Sequence, residues 1–253
     1  IMEIYFVRAL YFILVITLLL GCATPQLQPT RPLFSPSNLD ADHYQPKVDN
    51  FVVIWDTSSS MADEYSGYTK FRISQDYLSA LNQTIPELGY NGALRSFVKV
   101  KSVSEKSNLL VYGPTKYSTA GFELALKDVK GPIKDGSVSL AKSIDATGED
   151  LKATQGTTAI IVLSDGMNID QATVDAVQNL KDRFGDRACL YPIRIGKDPA
   201  GVKNMERMTA TGACGFPVVV VDRKTTYSMG DLVEDIFLVE IDKPAPEPLA
   251  KPI

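Results

Sequence analysis

The fold is decided by the stretch FVVIWDTSSSM, which occupies positions 51–61. A short, continuous apolar run is typical of a buried strand, and the polar residues after it are typical of the loop at the strand's carboxyl end. Open α/β sheets bind ligands at that edge. Asp56, Ser58 and Ser60 alternate, so an extended loop can point one carboxylate and two hydroxyls the same way. These hard oxygen donors favour Mg²⁺ or Ca²⁺, although a serine-rich turn that caps the next helix explains the same residues.

A second stretch of the same kind, TAIIVLSDG, occupies positions 158–166. Asp-x-Ser-x-Ser at 56–60 and Ser-Asp-Gly at 164–166 together resemble the metal-ion-dependent adhesion site of von Willebrand factor type A domains, and the resemblance covers roughly residues 50–240. It implies a Rossmann-like, doubly wound α/β fold, with a mostly parallel sheet and helices on both faces. It also implies that Asp56, Ser58, Ser60 and Asp165 surround Mg²⁺, or Mn²⁺ or Ca²⁺ in its place.

One ligand position departs from the family's pattern. Members begin the helix before the second motif with Gly-x-Thr-x-Leu, and the threonine hydroxyl completes the metal site. The residues here are GSVSL at 136–140, which place Val138 at the threonine position, and a valine cannot ligate. We expect Ser139 to replace the threonine through a shift of one residue; Ser137 and, further upstream, Thr119 are the alternatives. The sequence thus predicts a cation site of reduced affinity, with water in place of the missing oxygen.

Apolar periodicity alternates between strand and helix through the rest of the domain, which predicts a parallel-sheet α/β sandwich. The expected helices cover residues 71–85, 122–129, 140–154, 174–184, 202–211 and 229–239. The expected strands cover residues 97–103, 109–112, 189–196 and 216–221, and the resemblance implies that the first two pair antiparallel. Pro192 lies inside one of these strands and predicts either an edge strand or a locally unpaired position, because proline has no amide hydrogen to donate.

Residues 1–21 are expected to be a signal peptide. Arg8 precedes an apolar run over residues 9–20, which suits a signal sequence and is too short for a membrane span. The run ends in Leu-Leu-Gly-Cys22, which resembles the lipobox of bacterial lipoproteins and implies cleavage before Cys22 and lipid attachment to it. A signal peptide with an incidental cysteine, or a membrane anchor, is the alternative. Ala23, rather than aspartate, resembles the default for sorting to the outer membrane, with the protein facing the periplasm.

Proline-rich segments flank the expected domain, which spans residues 50–241. Residues 22–49 disperse prolines among polar residues and predict an exposed, semi-stiff tether; docking of Phe34 and Leu39 on the domain is the alternative. Residues 242–253 predict a linker or tail. Some envelope lipoproteins with a von Willebrand A-type domain continue through such a linker into a peptidoglycan-binding, OmpA-like domain. A longer form of this chain is expected to carry one after residue 253.

The three cysteines fit a compartment outside the cytoplasm. With Cys22 committed to lipid, Cys189 and Cys214 remain, and two cysteines in an oxidising compartment most simply form a disulfide. Cys189 begins an expected strand and Cys214 follows a helix, so both are expected at the same end of the sheet. Two separate buried thiols are the alternative.

Composition and motifs favour binding over catalysis. The formal net charge of −4 gives no reason to expect a nucleic-acid partner. The only histidine, His43, lies in the expected tether, which disfavours a Ser-His-Asp or Cys-His site, and the nucleotide-binding and zinc-hydrolase motifs are absent. The resemblance implies instead that a protein partner completes the ion's coordination with an acidic side chain. We therefore expect a lipid-anchored adhesion module of the bacterial envelope; the alternatives are a metal-free structural scaffold and, third, an enzyme.

Overall fold

The computed structural model describes residues 32–97, 109–132, 139–212, 214–222 and 224–241. Several expectations fall outside these ranges: the signal peptide, the lipid-bearing Cys22, the strand beyond residue 97, Ser137, Val138 and the tail from residue 242. Among the helices of the described ranges, none combines the length and the apolar content that crossing a membrane requires.

The strands and helices are numbered here in chain order. The strands are β1 (Tyr44–Pro46), β2 (Asn50–Asp56), β3 (Glu64–Tyr65), β4 (Tyr68–Thr69), β5 (Asn91–Phe97), β6 (Leu109–Lys116), β7 (Thr158–Ser164), β8 (Ala188–Ile195), β9 (Val218–Val221), β10 (Lys224–Thr225) and β11 (Leu238–Glu240). The helices are α1 (Lys70–Thr84), α2 (Thr119–Asp128), α3 (Leu140–Leu151), α4 (Gln171–Phe184), α5 (Pro199–Thr211) and α6 (Met229–Phe237). A short 3₁₀ turn, Ser59–Ala62, follows β2.

The main sheet has the strand order β10-β9-β8-β7-β2-β5-β6. β2, β5, β7, β8 and β9 run parallel, and β6 and β10 lie antiparallel at the two edges. The chain passes from β2 to β5 on one side and later continues at β7 on the other, so the strand order reverses between β2 and β7. Parallel α/β sheets bind ligands at the carboxyl ends of strands beside such a reversal. This topology confirms the expected doubly wound sheet and places the two motifs side by side.

β2 is buried along its whole length because helices cover both faces of the sheet. Phe51, Val53 and Trp55 pack with α1, α2 and α6 on one face. Val52 and Ile54 pack with α3, α4 and α5 on the other face. A strand buried on both faces requires a continuous apolar run rather than an alternating one, which is the pattern read at positions 51–55.

Side-chain caps set where these six helices begin. The residue before each helix accepts a backbone N–H of the first turn; these residues are Thr69, Ser118, Ser139, Asp170, Asp198 and Ser228. Such a cap satisfies a donor that has no partner within the helix and stabilises the helix by about 1 kcal/mol. Because apolar periodicity marks the first buried residue and not the cap, α2, α4 and α5 each begin three residues before the expected position.

The strands expected at 97–103 and 109–112 are only partly described, because residues 98–108 lie outside the described ranges. The expected antiparallel pairing is present between β5 and β6. β5 begins at Asn91, upstream of the first expected strand. The sequence did not predict this start, because the Asn-Gly pair there is typical of a turn. β5 runs parallel to β2, and only β6 lies antiparallel to it. β6 continues through the Gly113-Pro114 pair, beyond the expected end at residue 112, and reaches the level of the first residues of β5.

Pro192 lies in β8, an interior strand between β7 and β9, so the edge-strand alternative is wrong. Leu190 and Gly196 donate their backbone N–H toward the β9 side, to Cys214 and Val220. Alternate residues of a strand face the same neighbour, so the missing N–H of Pro192 also faces that side. The β8–β9 pairing begins one residue later, at Ile193. The proline therefore occupies a locally unpaired position, which is the second alternative.

The exposed tether expected over residues 22–49 is wrong from residue 33 onward, where the compact unit begins. Phe34 is only 8% exposed and packs edge to face on Tyr77 of α1, with ring centroids 5.2 Å apart. β1 pairs antiparallel with β11, which occupies the end of the expected helix 229–239. The alternative in which Phe34 docks on the domain is therefore confirmed, although the segment has no apolar periodicity that would have favoured it over a tether. The domain therefore begins before residue 50.

Candidate functional site

Asp56 is the last residue of β2 and is completely buried. Its Oδ1 accepts the backbone N–H of Ser58 at 2.9 Å, and its Oδ2 accepts the hydroxyl of Ser164 at 2.6 Å. Burial raises the pKa of Asp56 to about 6, although the hydrogen bonds from Ser164 and Ser58 oppose that rise. The carboxylate thus fixes the loop after β2 and joins it to the end of β7, and both of its oxygens are occupied in doing so.

Three oxygens meet at the carboxyl ends of β2 and β7, and we call this place the rim. The hydroxyls of Ser58 and Ser60 lie 3.1 Å apart, and Ser60 Oγ lies 3.2 Å from Asp165 Oδ1. Adjacent ligands of an octahedral Mg²⁺ lie about 3.0 Å apart, because each is about 2.1 Å from the ion. The two separations, which are those of hydrogen bonds along this series, are close to that ligand spacing.

Asp165 is held by the turn that follows β7. Its Oδ1 also accepts the backbone N–H of Met167 at 3.1 Å, and the carboxylate is 2% exposed. The next residue, Gly166, has a φ of +79°, and a Cβ there would lie 2.5 Å from the carbonyl oxygen of Gly201 in α5. A glycine is required for both reasons. The Ser-Asp-Gly sequence thus presents the carboxylate to the rim and lets α5 pack directly behind it.

Two residues that the sequence did not identify also contact the rim. Lys70, the first residue of α1, places its Nζ 2.8 Å from Asp165 Oδ2 and 3.5 Å from Asp63 Oδ2. Asn168 donates its side-chain amide to Ser58 Oγ at 2.9 Å and to Ser60 Oγ at 3.3 Å. A lysine in the first turn of a helix is an available signal, because a positive charge is disfavoured there unless another charge offsets it. No comparable sequence signal marks Asn168.

The expected additional ligands lie elsewhere or have other contacts. Thr119 follows β6, whose Lys116 pairs with Asn91 at the start of β5, so it lies at the amino end of the sheet, opposite the rim. That alternative is wrong. Ser139 directly precedes α3, and its hydroxyl accepts the backbone N–H of Lys142 at 3.3 Å. Its role as a ligand remains a prediction, and Ser137 and Val138 lie outside the described residues.

Cys189 and Cys214 form the expected disulfide, with their Cα atoms 4.6 Å apart. Cys189 is the second residue of β8 and pairs with Ala159 at the start of β7. The backbone N–H of Leu190 also donates to the carbonyl of Cys214 at 2.9 Å. The disulfide therefore ties the loop before β9 to the amino end of the sheet, at the opposite end from the rim.

The described rim residues do not form a cluster of acidic, histidine or cysteine ligands. Among the described residues there is no group of three or more His, Cys, Asp and Glu side chains that could hold a metal ion. Two of the three rim oxygens are hydroxyls, which suit only hard cations such as Mg²⁺. A separate, mostly apolar cavity of 320 Å³ lies between α5 and strands β8 and β9, lined by Pro192, Met205 and Val218 among others, and contains none of the rim residues.

Comparison with known proteins supports the fold through structure alone. No protein-family model matches the sequence, and no curated protein matches it significantly. BatB from Bacteroides thetaiotaomicron is 13% identical, with a TM-score of 0.54 over 68% of this chain and 90% of that one. An aerotolerance-related membrane protein from Bacteroides fragilis is 11% identical, with a TM-score of 0.54 over 74% of this chain and 96% of that one.

A third similar structure contains a metal ion. Proximal thread matrix protein 1 from the mussel byssus, solved with zinc in its metal-ion-dependent adhesion site, is 13% identical, with a TM-score of 0.53 over 76% of this chain and 46% of that one. At such low identities, the TM-scores show a similar fold and do not show a similar activity. A von Willebrand factor type A structure from Catenulispora acidiphila is 14% identical, with a TM-score of 0.50 over 80% of this chain and 45% of that one. The parallel sheet, the two strand-ending motifs and these similarities together show that the chain contains a domain of the von Willebrand factor A-type fold.

Proposed function

We propose that this chain is a protein-binding module of the bacterial cell envelope, which engages an acidic side chain of its partner through a divalent cation at the rim. The observation that carries the proposal is the contact of Ser58 Oγ, Ser60 Oγ and Asp165 Oδ1 in series, at 3.1 and 3.2 Å. These oxygens come from two neighbouring parallel strands at the reversal of strand order. The zinc-occupied site of the mussel protein, which has a similar fold, lends support.

Each rim residue has a separate task in this proposal. Ser58 and Ser60 supply neutral oxygens and Asp165 supplies a charged one, whereas Asp56 orients Ser58 from behind. Both oxygens of Asp56 already accept hydrogen bonds, from Ser58 N–H and the Ser164 hydroxyl, so Asp56 is not proposed to contact the ion directly. A bound cation would supply the positive charge that attracts a partner's carboxylate, because metal ions are the largest local charges in such sites. An acidic side chain is the expected partner group because this site offers an ion an incomplete set of ligands.

Binding rather than catalysis is proposed because, among the residues that the structure describes, neither rim aspartate is free to act as a general base. Asp56 is buried and fully hydrogen-bonded, and Asp165 is paired with Lys70. The only histidine, His43, lies 3.6 Å from Asp40, in the segment that precedes β1. General acid–base chemistry needs a titratable group within hydrogen-bond reach of the substrate.

A metal-free structural scaffold is the second candidate, and one observation favours it. The Asn168 amide already donates to the hydroxyls of Ser58 and Ser60, and the Lys70 ammonium donates to Asp165 Oδ2. A buried polar group that has its hydrogen bonds satisfied does not need a metal for stability. In that case the rim holds the ends of β2 and β7 together and engages no ion.

Calorimetric titration of Mg²⁺ and Mn²⁺ tests the proposal. We expect the wild type to bind, Asp56→Ala and Ser58→Ala to lose binding, and Val138→Thr to bind more tightly. Asp182→Ala, which removes an exposed carboxylate of α4, is the matched control and should bind as the wild type does. An absence of binding in both the wild type and Val138→Thr would favour the metal-free scaffold.

The envelope location is proposed from the lipobox-like sequence before Cys22. The resemblance of the fold to BatB and to a membrane protein of Bacteroides fragilis is consistent with it. Acyl chains anchor a protein because each buried CH₂ contributes about 0.8 kcal/mol. We expect Cys22→Ala to block processing or to release the protein from membranes, measured by fractionation and intact mass. Unchanged mass and membrane association in that variant would refute the anchor without affecting the cation site.

A further inference from the structure

We propose that Lys70 is a tethered cation of the rim, which holds Asp165 in the metal-free protein and competes with a divalent ion for that carboxylate. This inference rests on the proposed cation site and names what limits its affinity. It makes Lys70, a residue outside both sequence motifs, the residue that sets how strongly the rim binds metal.

The geometry of Asp165 is the first reason. Its two oxygens have different neighbours. Oδ1 lies 3.2 Å from Ser60 Oγ, where the two oxygens would both contact a bound cation, and Oδ2 lies 2.8 Å from the Lys70 ammonium. Lys70 is 8% exposed and Asp165 is 2% exposed. Water screens such a pair far less than it screens a surface pair. The ammonium therefore neutralises much of the negative charge that would otherwise attract an ion.

The position of Lys70 in its helix is the second reason. It is the first residue of α1, where the helix dipole disfavours a positive charge, and the cap is already supplied by Thr69. The side-chain stem passes Gly196 at the end of β8, where an added Cβ would lie 3.8 Å from Lys70 Cε. Local preference therefore opposes a lysine here, and its contact with Asp165 compensates for that.

The charge count is the third reason. Two carboxylates, Asp56 and Asp165, and one ammonium, Lys70, give the rim and its buried support a formal net charge of −1, whereas the two carboxylates alone would give −2. A divalent ion is attracted less strongly to the smaller charge.

Lys70→Met tests the inference, because methionine keeps an unbranched apolar stem and removes the charge. We expect Mn²⁺ affinity, measured by calorimetry, to rise about tenfold or more, which corresponds to one charge interaction of modest size. In EDTA the same variant should melt at a lower temperature than the wild type, because Asp165 is then buried without its partner. Saturating Mn²⁺ should restore the melting temperature. Opposite effects in EDTA and in Mn²⁺ separate a competing cation from a merely structural lysine.

Two further variants serve as controls. Lys127→Met removes an exposed lysine that pairs with Glu123 within α2, and it should change neither Mn²⁺ affinity nor the response to EDTA. Lys70→Arg keeps the charge and should retain the wild-type affinity within a few-fold. Lys70→Gln provides a second neutral variant if the methionine variant fails to fold.

The outcomes distinguish this inference from the proposed function. If the wild type binds Mn²⁺ and neither neutral variant binds it more tightly, the inference is wrong and the cation site stands. If the wild type does not bind and a neutral variant does, the competition is confirmed and the native site is shown to be blocked. If neither the wild type nor a neutral variant binds, the cation site is refuted, and the inference with it.

Discussion

The hydroxyl of Ser164 donates to Asp56 Oδ2 at 2.6 Å, and this hydrogen bond joins the two sequence motifs across 108 residues of chain. Ser164 also accepts the backbone N–H of Gly166 at 3.0 Å, so one hydroxyl orients both the aspartate of the first motif and the turn of the second. The serine of Ser-Asp-Gly therefore connects the two motifs behind the rim and is not a ligand. This role explains why a hydroxyl is needed at the end of β7.

Ser164→Ala is expected to lower the free energy of unfolding by about 2 kcal/mol, because a buried carboxylate loses a donor and no water replaces it. Urea denaturation at neutral pH measures the loss. Ser79→Ala removes a hydroxyl that bonds to Glu123 at the partly exposed α1–α2 contact, and it should cost less than about 0.5 kcal/mol. Equal losses in the two variants would contradict the connecting role of Ser164.

Asp56 should make the folded state less stable as pH rises. Its pKa is about 6 in the folded protein against 3.8 for an unperturbed aspartate, so the folded state binds the proton more tightly. The unfolding free energy contributed by Asp56 therefore falls between about pH 4 and pH 6, by up to about 3 kcal/mol, and is constant above that range.

Asp56→Asn isolates this contribution, because the amide keeps the shape and does not titrate. The difference in unfolding free energy between wild type and Asp56→Asn should fall as pH increases from 4 to 6 in EDTA. The other carboxylates cancel in this difference. A difference that rises with pH would mean that the folded state favours the charged form of Asp56, contrary to the effect of its burial.

The Cys189–Cys214 disulfide should stabilise the domain without affecting the rim. The two residues are 25 apart in sequence, and the chain-entropy model assigns such a cross-link about 3 kcal/mol. Reduction should lower the melting temperature by roughly 6–12 °C for a domain of this size. Mn²⁺ affinity measured below the melting temperature should stay the same, because the disulfide lies at the amino end of the sheet. A changed affinity would show coupling across the sheet.

The segment before β1 should contribute to the stability of the domain. Phe34→Ala removes a side chain that is 8% exposed and packs on Tyr77 of α1, so we expect a loss of about 3 kcal/mol in urea denaturation. Leu124→Ala truncates a side chain that is 66% exposed and should cost less than about 0.5 kcal/mol. If Phe34→Ala were as mild as Leu124→Ala, this segment would be a tether after all.

The order of strands and helices, the parallel sheet and four residues around the rim were predictable from the sequence. Each depends on neighbouring residues: an apolar run of strand length, a polar residue directly after it, and a glycine where a side chain cannot fit. Because parallel strands present their carboxyl ends at one edge, Asp56 and Asp165 could be placed together without knowledge of any contact between them. The disulfide followed from the count of cysteines and the compartment, not from geometry.

Only the tertiary structure revealed what surrounds those residues. Lys70 contacts Asp165 across 95 residues of chain, and Asn168 reaches Ser58 across 110, and neither pairing has a local pattern. The same holds for Phe34 on Tyr77 and for β1 on β11, where isolated anchors replace periodicity. Local sequence determines which residues form a strand and what ends it. The packing of distant elements determines which charge lies next to a carboxylate, as it places Lys70 next to Asp165.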